Sequence, residues 1–104
     1  MFNSIKNMFG ATEKMNLGEL IQDGAFLVDV RTPGEFAEAK IKGSVNIPLD
    51  SLTGQLVQFK GKKHIIVFCR SGNRSSMAKS ILAQYGFKNV TDGGSFQNMK
   101  QFVQ

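Results

Sequence analysis

The strongest constraint in the chain is one short run, HIIVFC, from His64 to Cys69, together with the loop and helix on its C-terminal side. A continuous apolar run of this length, bounded by polar residues, predicts a strand buried on both faces. The loop CRSGNRS comes next, and then Met77, Ala78, Ile81, Leu82 and Tyr85 recur at helical spacing. Gly86 sits where a helix-ending glycine belongs. A buried strand that runs into a helix through a tight loop is half of a parallel-sheet unit.

The rest of the chain repeats this alternation. Asn16 with Glu19 three residues on predicts a capped helix over Leu17 to Gln22, ended by Asp23-Gly24. Phe26 to Val30 predicts a buried strand. Thr32-Pro33 predicts an N-cap and first helical residue for a helix over Pro33 to Ala39. Val45 to Ile47 predicts a strand stopped by Pro48, and Ser51 to Phe59 a helix weakened by Gly54. Asn89 to Thr91 predicts a brief strand. Gly93-Gly94 then predicts a turn into a last helix bearing Phe96, Met99 and Phe102. The fold class is therefore α/β, a parallel sheet covered by helices on both faces. Residues 12–104 are expected to form the domain. Residues 1–11 are an extension in which Phe2, Ile5 and Phe9 predict a short helix.

Composition limits the chemistry. The chain has 104 residues, room for one domain, and 41% hydrophobic residues, enough for one core. It has one cysteine and one histidine, so neither an internal disulfide nor a structural zinc site is expected. No cofactor is expected. No apolar run is long enough to span a bilayer, and residues 1–10 lack the core of a signal peptide. A cytoplasmic, membrane-free monomer is expected. The net charge is +5, and residues 51–104 hold eight basic side chains against one acidic. These basic residues are scattered without interleaved aromatic residues. A small anionic substrate is expected rather than nucleic acid.

The chemistry is expected in the loop after the strongest strand. In open α/β sheets ligands bind at the carboxyl ends of strands. The following helix would point its N-terminal amides and dipole back at the loop. Arg70 and Arg74 add permanent positive charge, and Gly72 permits a tight turn. Cys69 stands at the entrance and is expected to ionise readily there. His64 lies five residues earlier, roughly 16 Å along the strand and on its opposite face. A cysteine–histidine dyad is thereby excluded.

Three ordered motifs carry a resemblance: LVDVRTPGEF, IKGSVNIP and the cysteine loop CRSGNRS, with YGFKNV and DGG downstream. Together they resemble rhodanese-like domains over about residues 12–100. The resemblance implies a central, mostly parallel, five-stranded sheet. It implies a sulfurtransferase in which Cys69 takes sulfur from a donor such as thiosulfate as a persulfide. A thiophilic acceptor (cyanide, a thiol or a protein) would then receive it. Arg70, Ser71, Gly72, Asn73, Arg74 and Ser75 would bind the donor, with amides cradling the outer sulfur. Asp29 and Arg31 match a strand-end pair, read as structural, as are Pro33, Glu35 and Phe36. Ala39-Lys40 and Phe96 depart from the common Gly-His and Trp. Cell-cycle phosphatases share this fold with a loop one residue longer. Phosphatase, arsenate reductase and non-catalytic binding module are the alternative readings.

Overall fold

The computed structural model describes residues 15–103. The helix expected around Phe2, Ile5 and Phe9 lies outside them. Chain order is α1 (Leu17–Gln22), β1 (Phe26–Asp29), α2 (Pro33–Glu38), β2 (Val45–Asn46), a 3-10 segment (Leu49–Phe59), β3 (Ile65–Cys69), α3 (Asn73–Gln84), β4 (Val90–Ser95) and α4 (Phe96–Lys100). The strands form one sheet in the order β2-β1-β3-β4, every pair parallel.

The two expected N-caps form as complete boxes. The Asn16 side chain accepts from the Glu19 N–H, and Glu19 accepts from the Asn16 N–H. Thr32 and Glu35 repeat the arrangement at the start of α2, with Pro33 in the first turn. Each box satisfies donors that a helix end leaves free, worth about 1 kcal/mol.

β3 is buried along its whole length, as its apolar run predicts. Alternation divides its side chains between two cores. Ile65, Val67 and Cys69 pack with Leu52 and Phe59 of the 3-10 segment and with Ala78 and Leu82 of α3. Ile66 and Phe68 pack on the other face with Leu20 of α1, Ile41 and Met99 of α4. Helical layers thus cover both faces. Each fully buried large side chain contributes roughly 1.5–3 kcal/mol.

Three expectations are corrected. The sheet has four strands among the described residues, not five. β2 and β4 are its edges, and the long connection from β2 to β3 packs as helix rather than adding a strand. That connection is a 3-10 segment from Leu49 instead of a regular helix from Ser51, and Gln55 breaks it with φ −130° and ψ 29°. Gly54 just before the break lowers helix propensity there. Finally, β4 runs to Ser95, so Gly93 and Gly94 lie inside a strand. Val67 pairs with Asp92 and Phe68 with Gly94, which leaves Gly93 as the extra residue of a bulge. A Cβ on Gly93 would stand 2.7 Å from Met99 Sδ and 2.8 Å from Ile66 Cγ2, so only glycine fits.

Candidate active site

The site begins where β3 ends. Cys69 is the last residue of β3 and is fully buried. The loop turns at once, because Gly72 caps α3 with φ 102°, a left-handed conformation that glycine adopts without strain. This turn aims backbone N–H groups inward. The Gly72 amide donates to Cys69 Sγ at 3.0 Å, and the Ser75 amide donates at 3.3 Å. The Ser75 Oγ lies 3.6 Å from the same sulfur. Burial pushes the Cys69 thiol up. The Ser75 amide and hydroxyl and the Gly72 and Ser71 amides outweigh it and hold the thiol below its ordinary value.

The structure puts the six loop residues into different roles. Arg70 is exposed and lines a hollow of about 440 Å³ beside the loop, with Arg31, Glu35, Glu38, Phe96 and Gln97. Ser71 and Asn73 are exposed at the rim, and Ser71 bridges to Ser95 on β4. Arg74 comes to the loop already paired. Its guanidinium donates to both Glu35 oxygens, at 2.8 and 3.1 Å. It enters as half of an ion pair, and the groups that bond the sulfur directly are backbone amides and the Ser75 side chain. Ser75 is fully buried and bonds in several directions.

Glu35 therefore has two roles. It caps α2 through Thr32 and clamps α2 to α3 through Arg74. The Arg74 hydrogen bonds, then the Thr32 amide, hold its carboxyl down at about 2. Asp29 and Arg31 form a buried hydrogen-bonded pair. The guanidinium binds both Asp29 oxygens and the Ala39 carbonyl, and stacks 4.5 Å from the Phe96 ring centroid. Phe96, where tryptophan is common, thus serves as a platform for Arg31. His64 is far from the sulfur and bonds Asp23 at 2.8 Å.

Asp92 was missed by sequence reasoning. Its Oδ1 lies 2.7 Å from Ser75 Oγ and receives the Gly94 amide at 2.8 Å. The only sequence signal was its place before two glycines, which reads as turn chemistry.

A buried cysteine held by converging amides after a central parallel strand defines a class, and comparison with known proteins names it. Residues 14–98 match the rhodanese-like domain, and the chain belongs to that family. It is 38% identical over 78 residues to thiosulfate sulfurtransferase GlpE of Ectopseudomonas mendocina, spanning 73% of this chain and 72% of that one. It is 28% identical over 74 residues to thiosulfate sulfurtransferase PspE of Escherichia coli, spanning 69% and 71%. Among solved structures, a rhodanese-related protein of Thermoplasma volcanium superposes with a TM-score of 0.69, at 30% identity over 85% of this chain and 91% of that one. The chain is an enzyme of the rhodanese sulfurtransferase type.

Proposed function

We propose that this chain moves sulfane sulfur from a small anionic donor such as thiosulfate to a thiophilic acceptor, through a persulfide on Cys69. The Cys69 thiolate attacks the outer sulfur of thiosulfate. A bond forms between Sγ and that sulfur, and the sulfur–sulfonate bond breaks with its electron pair leaving on sulfite. The acceptor (cyanide, a thiol or a protein) then attacks the outer sulfur, and the bonding pair returns to Sγ as thiolate. Neither half needs a metal or an organic cofactor.

The observation that supports this reading best is the pair of amides from Gly72 and Ser75 aimed at one buried sulfur. Donors that point where charge resides stabilise it without reorganisation. The amides of Arg70 to Ser75 would form the cradle for the transferred sulfur. Ser71 and Asn73 would contribute at its rim, and exposed Arg70 would draw in the donor. Four residues separate Cys69 from Arg74, a cradle suited to one sulfur atom rather than three phosphoryl oxygens. No described helix is long and apolar enough to cross a membrane. A monomer working in the cytoplasm is consistent with these features.

Two measurements test the reading. Intact-mass spectrometry after thiosulfate treatment should show one added sulfur atom, which Cys69→Ser should lack. Transfer from thiosulfate to cyanide should fall at least about a thousandfold in Cys69→Ser, as for loss of a covalent nucleophile. A variant that keeps about a tenth of wild-type turnover overturns the mechanism. A wild type that takes up no sulfur points instead to a non-catalytic binding module.

A further inference from the structure

The Ser75 hydroxyl has one proton and more than one claimant. Its Oγ lies 2.7 Å from Asp92 Oδ1, 3.1 Å from the Gly72 carbonyl, 3.5 Å from the Gly94 carbonyl and 3.6 Å from Cys69 Sγ. A hydroxyl donates once and accepts with its lone pairs. Distance and charge both assign the proton to the carboxylate, since bonds to ionised acceptors are the shorter and stronger ones. Asp92 is also held in place, because the Gly94 amide donates to the same oxygen at 2.8 Å. With the proton on the Asp92 side, Ser75 presents a lone pair to the sulfur. That suits a thiol S–H, which can donate to it. A thiolate needs a donor, which the Ser75 hydroxyl supplies only by turning its proton away from Asp92.

The other charges near Cys69 come from three elements. Arg74 on α3 interacts with the Cys69 charge, and also with Glu35 on α2 and Asp29 at the end of β1. Arg70 follows Cys69 in the chain but is exposed. Among these, Asp92 on β4 is distinguished by reaching the sulfur through a shared hydroxyl.

We propose that Asp92 is a positioning residue that competes with the Cys69 thiolate for the Ser75 proton, and so favours the sulfur-loaded cysteine over the free thiolate. This rests on the persulfide reading above. In the loaded state Sγ is neutral, bonded to the outer sulfur, and makes little demand for a donor. Ser75 then gives its proton fully to Asp92. On discharge the Sγ–sulfur bond breaks and its electron pair returns to Sγ. The Ser75 hydroxyl must now turn away from Asp92 to serve that charge. Asp92 thus makes Cys69 a more reluctant leaving group and helps the enzyme hold sulfur until an acceptor arrives.

The test separates this device from the reaction itself. Alkylation of Cys69 by iodoacetamide is followed against pH with no sulfur donor present. Asp92→Asn keeps the shape and an oxygen acceptor but loses the charge. It should lower the alkylation midpoint by about one pH unit, a tenfold change in the thiol equilibrium. In a Ser75→Ala background most of that shift should vanish, because the shared proton is gone. An equal shift in both backgrounds would reveal a bare charge effect and overturn the proposal, as would a midpoint unchanged or raised. On protein loaded with thiosulfate, Asp92→Asn should release sulfur to cyanide about tenfold faster, and an unchanged or slower release overturns the retention role. If wild-type protein takes up no sulfur, the persulfide reading fails, while the alkylation series still decides who holds the Ser75 proton. Should Asp92→Asn not fold, the infrared S–H stretch of wild type decides the same point. It should rise in Ser75→Ala, where the thiol loses its acceptor, and a constant frequency overturns the assignment.

Discussion

The two ends of β3 make an instructive pair, because both carry basic residues and both open onto a hollow. At the carboxyl end the hollow is about 440 Å³ and carries Arg31 and Arg70 together with Glu35 and Glu38. At the amino end a second hollow of about 360 Å³ carries His64, Lys79 and Lys88. The volumes are similar and the amino end is the more basic, so neither volume nor basic charge picks out the end that holds the cysteine. Direction does. At the carboxyl end two backbone amides converge on one buried sulfur. At the amino end the nearest equivalent, His64, is satisfied by Asp23, which also pairs with exposed Lys63. Exposed pairs of that kind are worth about 0–1 kcal/mol and hold nothing in a fixed line. Basic residues can draw anions to either end, but among the described residues amides converge on a sulfur only at the carboxyl end.

The sharpest way to break the comparison is to spoil direction while keeping charge. Inserting one glycine between Gly72 and Asn73 keeps every charge in the loop but moves the Ser75 amide off the sulfur. Sulfur transfer from thiosulfate should fall at least about a hundredfold, the usual cost of one directed donor. A folded insertion variant with wild-type turnover would show that convergence is not the selector. A smaller effect is expected from charge alone. Arg70→Ala should raise the KM for thiosulfate about tenfold, roughly 1.4 kcal/mol, with kcat little changed. Lys88→Ala, at the other end, should leave both within about twofold. Equal effects at the two ends would mean that the basic surface acts as a whole.

Legibility in the sequence followed the range of the interactions. Both N-caps bond within three residues and were readable, Asn16 with Glu19 as a box and Thr32 as the cap before Pro33. β3 was readable because burial on both faces leaves an unbroken apolar run. The cysteine loop was placed correctly because strand, glycine and helix start are contiguous. What escaped was long-range. Arg74 meets Glu35 across 39 positions, and Ser75 meets Asp92 across 17. Nothing local marks Arg74 as paired or Asp92 as a neighbour of the sulfur. Gly93-Gly94 misled for a related reason. Glycine lowers local strand preference, yet Gly93 is required here because Met99 and Ile66 leave no room for a side chain. The fifth strand was an expectation carried by resemblance, and the described chain offers no further strand beside β2 or β4.

The finest difference between the two ends should appear in acid. Glu35, at the carboxyl end, has its carboxyl lowered from 4.5 to about 2, first by the Arg74 hydrogen bonds and then by the Thr32 amide. A folded-state value below the unfolded one means that the ionised form favours folding. That contribution is complete above pH 4.5 and is lost as pH falls through the window from 4.5 to about 2. Asp23, at the amino end, is also lowered, by Lys63 and then His64. Asp23 is itself 41% exposed and its first partner, Lys63, stands in solvent, so little stability should depend on its charge. Urea midpoints measured from pH 5 to pH 2 can separate the two. Glu35→Gln should flatten the acid-side fall in that window, since glutamine can still accept from Thr32 but carries no charge to lose. Asp23→Asn should leave the profile close to wild type. Because the Glu35 and Arg74 side chains are themselves 25% and 32% exposed, the flattening should shrink in high salt. A Glu35→Gln profile parallel to wild type would show that the clamp between α2 and α3 owes its strength to packing rather than to charge.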